Sequence, residues 1–324
     1  MNRMCRVLRR GLTAMTLLLC APAALALTCS ADVQDLSFGN VDVLSGGTPL
    51  ASSSARVTVT CRRGLLELDA LGDVTVCVGL GPGTGGLAAD SRQLLSGGNR
   101  LRYNLYSDAA GSVPWGSYSV FTASGPRRFV LSLPVLVLED TETATLYGRV
   151  SGSQSDAAVG SYVSAFSGQD TEVRYGRGNV SCSALSASNG RAPFTVDATV
   201  MPNCSIAADP LDFGSTPGLA SALDAAGRIT STCTRGAAYQ IGLDSGQHAQ
   251  GSQRRMVSGS EVVRYELYRD AARSLRWGLV SGSEAITGMG SGVAQQATVY
   301  GRVPAQTGMA AGSYSDTVVA IISF

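Results

Sequence analysis

One stretch of this chain occurs twice. Arg102-Tyr103-Asn104-Leu105-Tyr106-Ser107-Asp108-Ala109-Ala110, with Ser112 and Trp115-Gly116, returns as Arg264-Tyr265-Glu266-Leu267-Tyr268-Arg269-Asp270-Ala271-Ala272, with Ser274 and Trp277-Gly278. Ten of these fifteen positions are identical, at an offset of 162. Upstream, Leu36-Ser37-Phe38-Gly39 matches Leu211-Asp212-Phe213-Gly214. Downstream, Tyr147-Gly148-Arg149-Val150 matches Tyr300-Gly301-Arg302-Val303, and Gly160-Ser161-Tyr162 matches Gly312-Ser313-Tyr314. The order is the same in both halves, so the chain reads as one domain built twice. A length of 324 residues suits two domains of ordinary size.

Ahead of the first copy, residues 1–26 carry Arg3, Arg6, Arg9 and Arg10, then an apolar stretch from Leu12 to Leu25 that closes with Ala24-Leu25-Ala26. A basic start, an apolar run and a small-x-small close read as a secretory signal peptide. The run is too short to favour a retained membrane anchor. Cleavage starts the mature chain at Leu27 and leaves six Cys, an even count that argues for disulfides in an exported protein. The repeat pairs four of them. Cys29 lies nine residues before Phe38 and Cys204 nine before Phe213, and Cys61 and Cys233 follow at similar intervals. This gives Cys29–Cys61 and Cys204–Cys233. Cys77 and Cys182 have no counterpart in the second copy and are left for each other.

Composition removes whole classes of function. The formal net charge is +1, which makes no electrostatic case for nucleic-acid binding. Every basic residue is Arg, so a P-loop, a Schiff-base Lys and a Ser–Lys dyad are excluded. A single His, His248 in the Gly/Ser/Gln loop Ser245–Ser252, reads as a solvated turn residue and argues against His-based catalysis. No CxxC or Cys/His cluster suggests zinc. No carboxylate pair has a supporting motif for acid–base work. The chain is expected to be no enzyme and to take neither cofactor nor metal.

Short alternating runs dominate, among them Arg56-Val57-Thr58-Val59-Thr60-Cys61, Val74-Thr75-Val76-Cys77-Val78 and Phe194-Thr195-Val196-Asp197-Ala198-Thr199-Val200. Gly, Ser and Asp punctuate them. Many short strands at turn-bounded spacing predict an all-β chain of two tandem β-sandwiches. The domains are expected at 27–190 and 191–324. Phe194–Val200 has two readings, as a strand that completes the first domain in cis or as the first strand of the second. The former is favoured.

The repeated residues resemble the spore coat U domain family, which includes the subunits of archaic (Csu-type) chaperone–usher pili. Cys204, Leu211-x-Phe213-Gly214, Cys233, Tyr265-x-Leu267-Tyr268-x-Asp270, Trp277-Gly278, Tyr300-Gly301-Arg302 and Gly312-Ser313-Tyr314 carry the resemblance. It implies immunoglobulin-like sandwiches, the C-terminal one lacking its last strand. It implies a periplasmic pilus chaperone, an outer-membrane usher and the donor strand of an adjacent pilin subunit as partners. The C-terminal stretch Val318, Ala320, Ile322 and Phe324 is the expected chaperone and donor-strand edge. A mature chain starting at Leu27-Thr28-Cys29 has no extension to donate. The expectation is therefore a two-domain tip subunit, exported to the periplasm and then displayed at the pilus tip. There it would attach to an abiotic or host surface and support biofilm formation. The alternatives are a non-adhesive pilus subunit and a secreted coat or matrix protein.

Candidate surface-binding residues lie where the first copy exceeds the second. Trp115 to Tyr147 spans 32 residues against 23 for Trp277 to Tyr300, and the region holds Tyr118, Val120, Phe121 and Phe129. Leu87, in the stretch Gly83–Ala89, is a further candidate. Val130–Leu138 is the most apolar stretch after the signal. Pro134 breaks it, so two buried strand ends or a hairpin are expected, with a hydrophobic binding finger the lesser reading. Trp115, Trp277, Tyr106 and Tyr268 recur in both copies and read as core.

Overall fold

The computed structural model describes residues 27–64 and 71–324; the expected signal peptide, residues 1–26, lies outside the described residues. The regular structure of the described residues is almost wholly strand, joined by turns and loops. Among the described residues no helix is long and apolar enough to cross a membrane.

The first body contains β1 (Thr28–Val33), β2 (Leu36–Val41), β3 (Ala51–Arg62), β4 (Gly72–Val78), β5 (Leu87–Ala88), β6 (Ser91–Ser96) and β7 (Asn99–Tyr106). It continues with β8 (Arg127–Leu133), β9 (Glu139–Val150), β10 (Gly160–Phe166), β11 (Glu172–Arg177), β12 (Gly190–Arg191) and β13 (Phe194–Val200). One sheet runs β1-β3-β9-β7-β6-β10-β13-β2, and the facing sheet runs β12-β11-β4-β8. The second body contains β14 (Cys204–Ala208), β15 (Leu223–Cys233), β16 (Ala238–Leu243), β17 (Arg254–Ser258), β18 (Glu261–Tyr268), β19 (Ile286–Met289), β20 (Ala294–Val303) and β21 (Ala320–Ser323). Its sheets run β14-β15-β20-β18-β17 and β19-β16-β21.

Sequence period explains the strands. In β3 every second residue from Ala55 to Cys61 is buried, which is what a strand with one face on a core requires. Its counterpart β15 repeats the pattern through Ile229, Ser231 and Cys233. The β6–β7 turn places Gly97 at φ +56, and the matching β17–β18 turn places Gly259 at φ +58. Both are left-handed conformations that Gly adopts without steric cost.

Two separate apolar clusters form. The first gathers Leu36, Val57, Tyr103, Trp115, Leu146, Tyr162, Phe194 and Val196 among others; the second centres on Ile229, Ile241, Tyr265, Leu267, Trp277 and Val299. Trp115 donates its indole N–H to the carbonyl of Val78, and Trp277 donates to Ile241, both at 2.9 Å. Disulfides join Cys29 to Cys61, Cys77 to Cys182 and Cys204 to Cys233. The bodies touch at one end. There Asn203 Nδ2 donates to Asp42 Oδ2 at 2.7 Å, and the Val159 N–H donates to the Arg235 carbonyl at 2.9 Å.

The first core runs past residue 190. Ala192, Phe194, Val196, Ala198 and Val200 are all buried in it. The strand Phe194–Val200 thus lies in the first sheet, within the span expected for the second domain. The reason is register: β13 is hydrogen-bonded along its whole length to β10.

Candidate functional site

The same groove exists twice, once filled and once open. In the first body β13 lies between β10 and β2. It pairs antiparallel with β10, placing Ala198 opposite Tyr162, Val196 opposite Ser164 and Phe194 opposite Phe166. It pairs parallel with β2, placing Val196 beside Leu36 and Asp197 beside Ser37. Alternate residues enter the core. Phe194 stacks on Phe166 with ring centroids 4.4 Å apart. Polar atoms hold the outer side: the Ser37 hydroxyl donates to Asp197 Oδ1, and the Thr195 N–H donates to Asp35 Oδ1, both at 2.6 Å.

The walls of this groove recur in the second body. Leu211 and Phe213 stand for Leu36 and Phe38, and Tyr314, Asp316 and Val318 for Tyr162, Ser164 and Phe166. The Ser315–Val257 bridge repeats the pairing of Val163 with Leu95. Tyr314 donates its hydroxyl to the Ala310 carbonyl as Tyr162 does to Ala158. Between these walls no strand lies among the described residues. The space is a groove of about 510 Å³ lined by Leu211, Phe213, Ile229, Leu267, Tyr314 and Val318, among others. Its walls show the consequence. Leu36, Phe38 and Tyr162 are buried in the first body, whereas Leu211, Phe213 and Tyr314 are half-exposed.

A buried arginine stiffens the floor of each body. Arg92 donates to the carbonyls of Gly81, Leu80 and Trp115, each at 2.7 Å, and to Asn104 Oδ1 at 2.6 Å. Burial lowers its pKa to about 10, which still leaves it charged at neutral pH. Arg254 donates to the carbonyls of Leu243, Asp244 and Trp277 and pairs with Glu266. Glu266 then leads to Arg276 at 2.9 Å, and Arg276 to Glu284 at 3.1 Å. The sequence reading missed both arginines, although they recur at the same offset of 162 as the motif beside them.

A polar network also sits at the open groove. Tyr265 donates its hydroxyl to Asp316 Oδ2 at 2.7 Å, and His248 meets Asp316 Oδ1 through Nδ1 at 2.9 Å. Burial, then the bond to Asp316, drives the Tyr265 pKa upward. His248 does lie in a turn and is partly exposed, but it also partners a buried carboxylate, because its loop folds back onto Asp316.

The expected edge residues divide. Val318 and Ala320 line the groove. Ala320 and Ile322 belong to β21, which pairs with β16 in the opposite sheet, with Ile322 opposite Ile241. Phe324 is exposed beyond that strand. The free flank of the groove is formed instead by residues 314–318.

The expected surface-binding residues also divide. Phe129 cannot reach a surface: it is buried in β8 against Trp115, because the alternation of β8 turns it inward. Tyr118, Val120 and Phe121 are half-buried in a tight turn. The Arg174 guanidinium lies 3.6 Å from the Tyr118 ring centre, and that of Arg92 lies 4.8 Å from Phe121. Burial pushes the Tyr118 hydroxyl up to about 12. Leu87 is exposed in β5.

The most exposed apolar group lies elsewhere. Residues 134–138 do not form a hairpin; they cross between sheets, since β8 pairs with β4 and β9 with β3. Arg63 anchors the crossing by donating to the carbonyls of Pro134, Val135 and Val137 at 2.9, 2.6 and 3.0 Å. Its backbone is held while its side chains point out: Val135 is 65% and Leu136 94% exposed. This turn lies beyond Arg62 and Glu139, whereas the Ala51–Val150 end of the same ladder leads into the loop that touches the second body. The ladder is twelve residues long, so the two ends are roughly 36 Å apart at about 3.3 Å per residue.

Comparison with known proteins agrees with the architecture. The model of the Spore Coat Protein U domain matches residues 15–167 and again 191–321. Protein U of Myxococcus xanthus is 35% identical over 106 residues; that stretch is 30% of this chain and spans 59% of the length of Protein U. Among solved structures, the complex of the chaperone CsuC with the tip adhesion subunit CsuE, from the archaic chaperone–usher Csu pili of Acinetobacter baumannii, aligns over 92% of this chain and 100% of that one. The TM-score is 0.51 at 15% identity, a likeness of fold.

Proposed function

The chain belongs to the Spore Coat Protein U domain family, and from that premise we propose that it is the tip subunit of a chaperone–usher pilus. One observation carries the proposal: β13 fills a strand groove in the first body, and the same groove in the second is open. An open sheet edge over an apolar core is unstable alone and invites an added strand. In this reading a periplasmic chaperone lends that strand first. An adjacent pilin subunit replaces it at the outer-membrane usher, and the second domain thereby anchors the chain to the fibre. The domain boundary then falls at residues 201–203, after β13.

The first domain, complete within itself, is free to face outward. Its apolar turn at 134–138, at the end away from the anchor, is the proposed contact with an abiotic or host surface, and so the part that serves attachment and biofilm formation. Burial of apolar area supplies about 25 cal/mol per Å², and an exposed Leu136 anchored by Arg63 needs no rearrangement to reach a surface. Two experiments test the reading. A photo-reactive residue at Val318 of the exported full chain should cross-link to a periplasmic chaperone; capture of none counts against the anchor. Replacing Val135 and Leu136 by Ser should reduce attachment to polystyrene severalfold while export stays normal. Unchanged attachment removes this turn from the adhesive role, and a pilus subunit without adhesive function is then the better description.

A further inference from the structure

We infer that the second groove selects its incoming strand by charge: it favours a strand with a basic residue at the central outward position and rejects one with an acid there. The inference rests on the proposed reading of the groove as a strand acceptor.

The filled groove supplies the template. Asp197 is the central outward residue of β13, and its register partner on β2 is Ser37. The Ser37 hydroxyl accepts the Gly39 N–H at 3.2 Å and still has its own proton, which it gives to Asp197. The second groove keeps the turn and changes the chemistry. Asp212 replaces Ser37, and its Oδ1 accepts the Gly214 N–H at 2.8 Å. An ionised carboxylate has no proton to give. A strand seated in the same register would place its central outward residue about 4.8 Å from Asp212, the ordinary spacing between strands. An acid there is repelled and a base attracted.

The remaining charges do not cancel this. Asp209 and Arg228 lie on the same wall and neutralise each other at 3.5 Å. Asp316 faces inward and is engaged by Tyr265 and His248. Pro210 stands where Asp35 receives the incoming Thr195 N–H, so that contact is lost too. The consequence concerns the chain itself. Its own strand Phe194–Val200 carries Asp197 and fits the first groove; in the second it would set Asp197 against Asp212. The substitution disfavours exchange of β13 between copies of this chain and leaves the second groove to a strand of different charge.

The test uses two fluorescent peptides and the full mature chain. One peptide has the sequence of residues 194–200, and the other carries Asp197→Lys. Two unit charges about 5 Å apart in water interact weakly, and exchanging repulsion for attraction amounts to about tenfold in affinity. The Lys peptide should bind about tenfold more tightly at low salt, and the ratio should fall below about twofold at 1 M salt, where screening acts over about 3 Å. In an Asp212→Ser chain the preference should vanish or reverse. Asp212 is exposed, so this variant is expected to fold. Equal binding of both peptides to the native chain, or an unchanged preference in Asp212→Ser, overturns the charge rule and leaves the acceptor reading standing. Failure of both peptides to bind overturns the charge rule and the acceptor reading together.

Discussion

The two bodies share a framework and differ in one strand. Each holds a Trp bonded to a strand carbonyl and an Arg bonded to three carbonyls. Each also has an Asp closing an identical loop: Asp108 accepts the N–H groups of Ser112 and Val113, and Asp270 those of Ser274 and Leu275. Yet Leu36 and Phe38 are buried where Leu211 and Phe213 are not. The difference teaches that the repeated motif builds a scaffold whose closure is a separate matter. One strand placed after the first copy closes one body, and the matching groove of the other stays open.

The comparison can be broken most sharply at β13. Val196 is fully buried, so Val196→Asp should destabilise the first domain by about 4 kcal/mol or more, because a buried unpaired carboxylate must either stay ionised without solvent or take up a proton. The second domain should melt as before. Calorimetry with two resolved transitions checks this, and a fall in both would mean that the bodies are not independent.

Removing Cys77 and Cys182 together should come next. That bridge closes a loop of 105 residues and has no counterpart in the second body. The loss is expected at about 4 kcal/mol in the first domain alone, read by denaturant titration. Arg92→Met and Arg254→Met should each cost about 3 kcal/mol, since each strands three carbonyls. Similar losses in the two domains would support a shared scaffold; a cost confined to one would break it.

The smallest effect is on acid stability. The Arg302 guanidinium grips Asp224 through two bonds, at 2.7 and 2.8 Å, and holds its pKa below the usual value. A carboxyl depressed on folding adds stability above its unfolded value, near 4, and that stability is lost as pH falls through the folded value. The second domain should therefore lose a small increment on acidification that Arg302→Met reduces, Arg273 at 3.2 Å keeping the remainder. Carboxyl titration of Asp224 by NMR checks the direction.

Much of this was legible from the sequence because the repeat doubled each signal. Alternation marked β3, β4 and β13, and the recurring Cys spacing paired Cys29 with Cys61 and Cys204 with Cys233. Other features were not legible, for physical reasons. Alternation shows that a strand has two faces and not which face meets the core, so Phe129 read as exposed and is buried. An apolar run broken by Pro134 does not say whether its halves join one sheet or two, and so Val135 and Leu136 read as buried. Arg92 and Arg254 gave no signal in the sequence because the carbonyls that hold them lie 10 to 23 positions away. His248 read as a loop residue because Asp316 lies 68 positions away.

The central claim is that one groove is closed and its counterpart open. Hydrogen exchange of the free full chain tests it directly, by comparing residues 160–166 with residues 312–318. The first segment should be strongly protected. The second should exchange far faster, and gain protection when a complementing strand is added. Equal protection of the two segments in the free chain would contradict the account.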